Sequence, residues 1–296
     1  MFTTGILVTT LLVACSSKQS NSNKVQSVED VKTVSFIQLA NGNKEQIWYD
    51  LYDSNGDGEI SKDDDINTIY ITKDGKIDTY FIRDELTLSD VKDKSNNEIK
   101  ELAKQQDQAT FSARKEEVIP SSGSAVSDSN DFYEEQIALW ERTQDYINAH
   151  PEEYPNPDEE LRKASEELTR VKEEKSRSEK SLRELEELTY SKLSTQYLNK
   201  PVKATVETDS TGNTVIEENF EFWAYSIDPD YGEVEVESRS QNFTTTISGQ
   251  IYDTHYVGYV NPEEFTGNDS FLVTAVSSDL VLIVFDPLDT KNVTEE

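Results

Sequence analysis

The chain has 296 residues, with 28 Lys and Arg against 59 Asp and Glu, so its formal net charge is −31 at pH 7. Such a chain lacks the clustered basic residues that bind nucleic-acid phosphates, so no nucleic-acid partner is expected and cations are favoured instead. Because it also carries 14 Tyr, 11 Phe and 3 Trp, it is expected to fold, and its length favours more than one domain.

The N-terminal segment is uncharged and apolar, and it ends at Cys15, the only cysteine of the chain. Its apolar run is far shorter than the ~20 residues of a membrane-spanning helix, which favours a removable export signal. The sequence LVAC that ends at Cys15 resembles the lipobox of bacterial lipoproteins, although no basic residue precedes the apolar run. The resemblance implies cleavage before Cys15 and a lipid on its sulfur. We predict a lipoprotein signal peptide at residues 1–14 and a polar tether at 15–30.

Residues 31–111 are predicted to form a small β-rich domain, a β-meander closed by one helix. Runs of β-branched and aromatic residues flank the dipeptides NG at 41–42 and DG at 74–75, which accept the positive φ angles of tight hairpin turns. Apolar residues then recur at helical spacing from Ile99 on, behind an NNE sequence that can begin a helix.

Within this domain, residues 53–64 read DSNGDGEISKDD. Oxygen-bearing side chains at alternating positions, a glycine at the sixth position and a backbone carbonyl at the seventh are what a loop needs to surround a hard cation with oxygens. The predicted ligands are Asp53, Asn55, Asp57, Glu59 through its carbonyl, Ser61 and Asp64.

This segment resembles the calcium loop of EF-hand and dockerin-type modules, which implies one structural Ca²⁺. Two features differ from a full EF-hand: the last ligand is Asp64 rather than Glu, and the next residue is Asp65, where the exit helix usually begins with an apolar residue. Strands rather than helices are also predicted on both sides. We therefore predict the loop alone, inserted into the β-meander. The alternative is an ordinary turn rich in Asp, Asn and Gly that holds no ion.

The middle of the chain is predicted to be helical. A stretch rich in Ser, Gly and Asp suggests a flexible linker at 112–131, followed by an antiparallel helical hairpin at 132–198. The first helix is expected to end at His150, before a proline, and the second to begin at Asn156 and to continue with a coiled-coil-like rhythm of apolar residues. The second helix is about twice as long as the first, so its far half needs another partner.

Residues 199–296 contain several strand-like runs at short, regular spacing and are predicted to form a β-sandwich or barrel-like domain. The run LVLIVF is apolar throughout, which favours a central strand covered on both faces. The fold class is therefore α+β, with strands and helices in separate blocks.

Catalysis finds little support in the sequence, and we predict that the protein is not an enzyme. Its two histidines, His150 and His255, have no neighbours that form a catalytic triad or a metal-binding spacing. A phosphate-binding glycine loop, a nucleophile elbow and an HExxH sequence are all absent. A pair of carboxylates could still act as a hydrolase, because their separation depends on the fold.

The lipobox, the calcium-like loop, the following ITKDGKIDTYF hairpin and the LTLSDV segment together resemble a group of uncharacterised surface lipoproteins of Gram-positive bacteria. The resemblance implies a location at the extracellular face of the cell membrane, with a lipid anchor on Cys15, and no particular activity. We predict a non-enzymatic interaction or adhesion protein with a protein or glycan partner at the cell envelope. The alternatives are a solute-binding lipoprotein associated with a transporter and, less favoured, a carboxylate-based envelope hydrolase.

Overall fold

The structure is a computed structural model. It describes residues 32–230, 232–261, 269–277 and 281–296. The predicted signal peptide, the tether and Cys15 lie outside the described residues. Contacts group the remainder into one compact unit that spans Val31–Glu296.

Helices and strands alternate in several blocks along the chain. The described strands are β1 (Lys32–Val34), β2 (Gln46–Tyr52), β3 (Asp65–Lys73), β4 (Lys76–Phe81), β5 (Lys200–Pro201), β6 (Lys203–Thr208), β7 (Val215–Ile227), β8 (Val234–Phe243), β9 (Thr245–Ile251), β10 (Thr254–Asn261), β11 (Ser270–Val276), β12 (Val281–Ile283) and β13 (Val293–Glu295). The described α-helices are α1 (Phe36–Ala40), α2 (Leu88–Val91), α3 (Asn96–Ala149), α4 (Pro157–Glu187) and α5 (Tyr190–Tyr197).

The largest sheet combines strands from both ends of the chain, in the order β5-β4-β3-β2-β11-β10-β9. Its two halves meet where β2 pairs antiparallel with β11, with Leu51 opposite Phe271. The β blocks predicted at 31–111 and 199–296 therefore share one sheet and are not separate domains. Sequence patterns could not reveal this pairing, because it joins residues about 220 positions apart.

A second sheet, in the order β13-β6-β7-β8, packs face to face on the first. Aromatic rings fill the space between them: Tyr70 of β3 meets Phe220 of β7 edge to face, with ring centroids 5.5 Å apart, and Phe220 stacks on Phe243 at 5.5 Å. The predicted sandwich is confirmed as an open pair of sheets, since neither sheet closes into a barrel.

Helices cover the opposite face of the large sheet and form a third layer. Leu88 of α2 and Ile99 and Ala103 of α3 pack against side chains such as Tyr49 and Ile69. The alternation along β2 and β3 explains this arrangement, because successive residues of a strand face opposite sides of the sheet. The large sheet is therefore apolar on both faces.

The first predicted hairpin is wrong, because its first strand is mostly the helix α1. Phe36, Ile37 and Ala40 are all buried at helical spacing. The carboxylate of Asp286 accepts hydrogen bonds from the backbone N–H of Ile37 at 2.7 Å and of Gln38 at 3.1 Å. A partner distant in sequence thus satisfies the amides at the start of this helix. The second hairpin is confirmed as β3 and β4, with Asp74 at φ 53° and Gly75 at φ 75°.

The predicted linker at 112–131 is also wrong, since these residues are helical. Helix α3 runs for 54 residues and passes through Pro120 without a break. Its small residues permit a close approach: Ser122 is buried and its hydroxyl donates to the carbonyl of Pro229 at 2.9 Å. Packing against the β7–β8 turn and α4 therefore outweighs the weak helix propensity of this segment.

The longer α3 provides the missing partner for α4, because contacts between the two helices run from Ser165 near the start of α4 to the carbonyl of Glu186 at its end. The predicted helix ends are confirmed at His150 and at Asn156, whose side chain accepts from the N–H of Glu159 at 3.4 Å. Helix α4 ends at Glu187, and a separate helix, α5, follows it.

The LVLIVF run is not a central strand. Among its described residues, 281–285, Val281–Ile283 form a short strand that pairs in parallel with β1, and Leu282 is 47% exposed. The covered central strand is instead β11, whose first five residues are all buried. No helix in the described part of the chain is both long and apolar enough to cross a bilayer.

Candidate metal centre

The loop at 53–64 joins two neighbouring strands of the large sheet. The chain leaves β2 at Tyr52 and enters β3 at Asp65, and these two residues pair with each other. Strands therefore flank the loop on both sides, as the sequence indicated, and the helices of a full EF-hand are not present beside it.

The surrounding structure holds the loop in place at three points. The N–H of Asp53 donates to the carbonyl of Asp269 at 3.1 Å, and the N–H of Ser89, at the start of α2, donates to the carbonyl of Lys62 at 3.1 Å. Between them, Ile60 is buried over Gly249 of β9, where an added Cβ would lie 3.3 Å from the Cβ of Ile60. The loop thus connects the central strands to α2 and to the edge strand β9.

The first half of the loop is organised around Asp53, which is almost fully buried. Its carboxylate accepts from the N–H groups of Gly56 and Gly58, both at 2.8 Å. Gly58 occupies the sixth position with φ 74°, a conformation that side chains other than glycine rarely adopt. The sharp bend that a calcium loop needs at its sixth position is therefore present at Gly58.

Exposed ligand candidates follow on the open side of the loop. Asn55 Oδ1 accepts from the N–H of Asp57 at 2.9 Å, and Asp57 Oδ1 accepts from the N–H of Glu59 at 2.9 Å. Glu59 is exposed and Ser61 is half-buried. These bonds fix the direction of the oxygens while leaving lone pairs that an ion could use.

Asp64 closes the loop and is its most unusual residue. Its side chain is fully buried, and Oδ2 accepts from the N–H of Ser61 at 2.7 Å. Its other oxygen, Oδ1, is buried without a hydrogen-bond partner in the described part of the chain. Burial raises the pKa of Asp64 to about 6, and the nearby carboxylates of Asp53, Asp57 and Asp65 raise it further, against the effect of the Ser61 N–H. A buried, unpaired carboxylate oxygen is costly, and a cation would relieve both effects.

The ligands are not drawn together as tightly as around a bound ion. Three or more His, Cys, Asp or Glu side chains could share a metal ion if their ligand atoms lay close together. Among the described residues, one such group, His150, Glu152 and Glu153, has its ligand atoms within 4.8 Å of one another. That group is exposed at the turn between α3 and α4, and it is not evidence of a metal site. The acids of the 53–64 loop do not reach this spacing, so an ion would have to draw them closer.

The sequence reasoning missed a buried carboxylate elsewhere in the fold. Asp107 of α3 is fully buried and accepts from the N–H of Phe81 at 3.1 Å, from the hydroxyl of Tyr190 at 2.7 Å and from the hydroxyl of Tyr197. Burial raises its pKa to about 6, while the two hydroxyls oppose the shift. Asp107 lies on the same helical face as the buried Ala103. A single acidic residue on an otherwise apolar helical face was the signal in the sequence that could have revealed it.

The sequence reasoning also missed a pair of buried acids between the two sheets. Glu218 of β7 is buried and accepts from the N–H of Asp286 at 2.9 Å, while burial and the Asp286 carboxylate raise the pKa of Glu218 well above its usual range. Asp286 in turn binds the first amides of α1, so both acids serve the packing of this helix. His255, by contrast, is half-exposed in β10 beside Gln250 and Val276.

Comparison with known proteins gives no assignment: no family model, curated protein or solved structure matches this chain.

Proposed function

We propose that this protein is a lipid-anchored lipoprotein at the extracellular face of the cell membrane, stabilised by one Ca²⁺ in the 53–64 loop. Its role is that of a non-enzymatic interaction or adhesion protein at the cell envelope. The observation that carries the calcium assignment is the buried, unpaired Oδ1 of Asp64 near the carboxylates of Asp53, Asp57 and Asp65.

The position of the loop supports a structural role for the ion. The loop links β2 and β3 in the middle of the large sheet and contacts both α2 and β9. An ion bound there stabilises only the folded chain. With free Ca²⁺ near ~1 mM and a dissociation constant of ~0.1 mM, the gain in unfolding free energy is about 1.4 kcal/mol.

The anchor and the external location rest on the lipobox at Cys15, which lies outside the described residues. The interaction role is supported by the hairpin of α3 and α4, whose outer part carries exposed apolar residues such as Phe132 and Leu139. A solute-binding lipoprotein would need a ligand cleft between two lobes, whereas the two β blocks share one continuous sheet here.

Thermal unfolding of residues 16–296 tests the calcium assignment. We expect the midpoint to rise by several degrees in 1 mM Ca²⁺ relative to EDTA, and the Asp64→Asn variant to lose this response. Asp209→Asn is the matched control, because Asp209 also accepts backbone N–H bonds within a tight turn but lies at the β6–β7 connection. An unchanged midpoint in the wild-type chain, or an equal loss in both variants, contradicts the assignment.

Three further measurements test the rest of the proposal. Mass spectrometry of the chain made in a bacterial host is expected to find a lipid on Cys15, and an unmodified thiol contradicts the anchor. In a thermal-shift panel of sugars and peptides, we expect no large change in the unfolding midpoint. A large change with one compound would favour the solute-binding alternative. Hydrolysis of envelope glycans or peptides that is lost on changing one carboxylate would favour the hydrolase.

A further inference from the structure

The outer part of α3 carries a row of exposed apolar side chains. Phe132 is 57% exposed, Leu139 45% and Tyr146 47%. They are spaced seven residues apart, so they form one stripe along the helix. Scattered exposed apolar residues are ordinary, whereas these three lie on one face of the helix, with one apolar side chain on every second turn.

This stripe is distinct from the seam that α3 forms with α4. The seam includes Trp140, half-buried, and Ile147, fully buried, each one position after a residue of the stripe. Because successive residues of a helix are about 100° apart, the α3 side chains that bond α4, such as Asn130, Gln144 and Glu141, lie about 140–200° around the helix from Leu139. The stripe therefore faces away from α4, and a further helix placed there would pack on the opposite side of α3.

The charged residues of this part of α3 favour one arrangement. Glu134 and Glu141 are already paired with Lys175 and Lys172 of α4, at 2.8 and 2.9 Å. Arg142 donates only to the carbonyl of Ala138 and makes no ion pair within the part of the chain that the structure describes.

Glu135 makes no ion pair among the described residues either. Glu135 and Arg142 lie about one turn on either side of Leu139, along the same edge of the stripe. An antiparallel copy of the helix would place each of these charges opposite its complement.

We propose that the stripe is the interface with a second copy of this chain, which packs antiparallel about a two-fold axis at Leu139. Leu139 then meets Leu139 of the partner copy, and Phe132 of each copy meets Tyr146 of the other. Arg142 of each copy reaches Glu135 of the other, so two ion pairs flank the apolar contact. A two-fold interface requires such self-complementarity, and the stripe provides it from a single helix.

The interface is small. Three half-exposed side chains of this size bury ~600 Å² over both copies, which is below the range of stable dimers. We therefore expect a weak dimer that forms at high concentration. The large negative charge of the chain opposes association at low salt, so added salt should strengthen the dimer.

Cysteine cross-linking tests the predicted axis directly. Residues 16–296 contain the whole compact unit and no cysteine. A Leu139→Cys variant should form a disulfide-linked dimer under mild oxidation, at least tenfold faster than an Ile216→Cys variant, whose side chain is equally exposed at 45% but lies on β7. Equal rates at the two positions would overturn the proposal.

Sedimentation equilibrium with charge variants tests the orientation. Arg142→Glu and Glu135→Arg should each weaken dimerisation severalfold, and the double variant should restore it to near the wild-type value. A chain that stays monomeric at several hundred micromolar, or a double variant that is weaker than both single variants, rules out this interface. In the first case the stripe serves a different partner.

Discussion

The sheet body and the helical arm are stabilised in different ways. The arm is the outer part of the hairpin, residues 127–177, and the body is the rest of the described chain. Nearly all buried residues of α3 precede the arm, where it covers the sheet, and Ile147 is the exception. In the arm, exposed ion pairs such as Lys172–Glu141 accompany the narrow apolar seam. Burial therefore determines the stability of the body, while the arm keeps apolar surface available for contacts.

The largest expected effect comes from a large-to-small change in the body. Phe220→Ala removes a fully buried ring that contacts Phe36, Tyr70 and Phe243, and should lower the free energy of unfolding by about 3–5 kcal/mol. Phe132→Ala in the arm is the matched control and should cost about 0.5 kcal/mol or less, since this ring is exposed. Denaturant unfolding measures both. Similar losses would remove the distinction between body and arm.

The buried carboxylate of the body gives the next largest effect, through pH. The pKa of Asp107 is about 6 in the folded chain and near ~3.9 when unfolded, so the folded state holds a proton that the unfolded state has already released. Stability should therefore fall as pH rises from 4 to 6, by up to about 3 kcal/mol from this group. The slope should be smaller in Asp107→Asn than in the wild-type chain, and the remaining slope comes from Asp64 and Glu218, whose pKa values are also raised. Parallel pH profiles for the two proteins would contradict the shift.

A smaller effect of opposite sign is expected at the junction of body and arm. Gly123 lies within α3, and an added Cβ would meet nothing within 4 Å, so Gly123→Ala should raise the free energy of unfolding by roughly 0.5–1 kcal/mol. The control is Gly212→Ala, which also has open space but φ 68°, and should destabilise the protein. A loss of stability at Gly123 would mean that residues 112–131 are not helical in solution.

The smallest effect belongs to the ion pairs of the arm. Lys172 and Glu141 are both about half exposed, and Lys172→Ala should change the free energy of unfolding by about 0.5 kcal/mol or less. High salt should remove even this difference. A loss of several kcal/mol would show that polar contacts, and not burial alone, maintain the fold of the hairpin.

Local features of the fold were predictable from the sequence. The hairpin turn at Asp74 and Gly75 and the helix ends at His150 and Asn156 depend on neighbouring residues, and the structure confirms them. The 53–64 loop was likewise correctly expected between strands.

Errors arose where distant contacts decide the structure. Asp286 stabilises the start of α1 from about 250 positions away, and the β7–β8 turn receives the Ser122 hydroxyl of α3. The pairing of β2 with β11 is also distant in sequence, so it could not be inferred from periodicity.

The candidate site shows the same division. The types and order of its residues were readable from the sequence, because alternating oxygens and a sixth-position glycine form a local pattern. The complete burial of Asp64 and its unpaired oxygen were not, since they depend on how α2 and β9 pack around the loop. These two features turn a sequence resemblance into a specific hypothesis about one atom.

Calorimetric titration of CaCl2 into residues 16–296 tests the central claim most directly. We expect heat from one site per chain with a dissociation constant near ~0.1 mM, and none from the Asp64→Ala variant. If the wild-type chain binds no calcium while the fold remains intact, the loop is an ordinary turn and the proposed stabilisation by calcium is wrong.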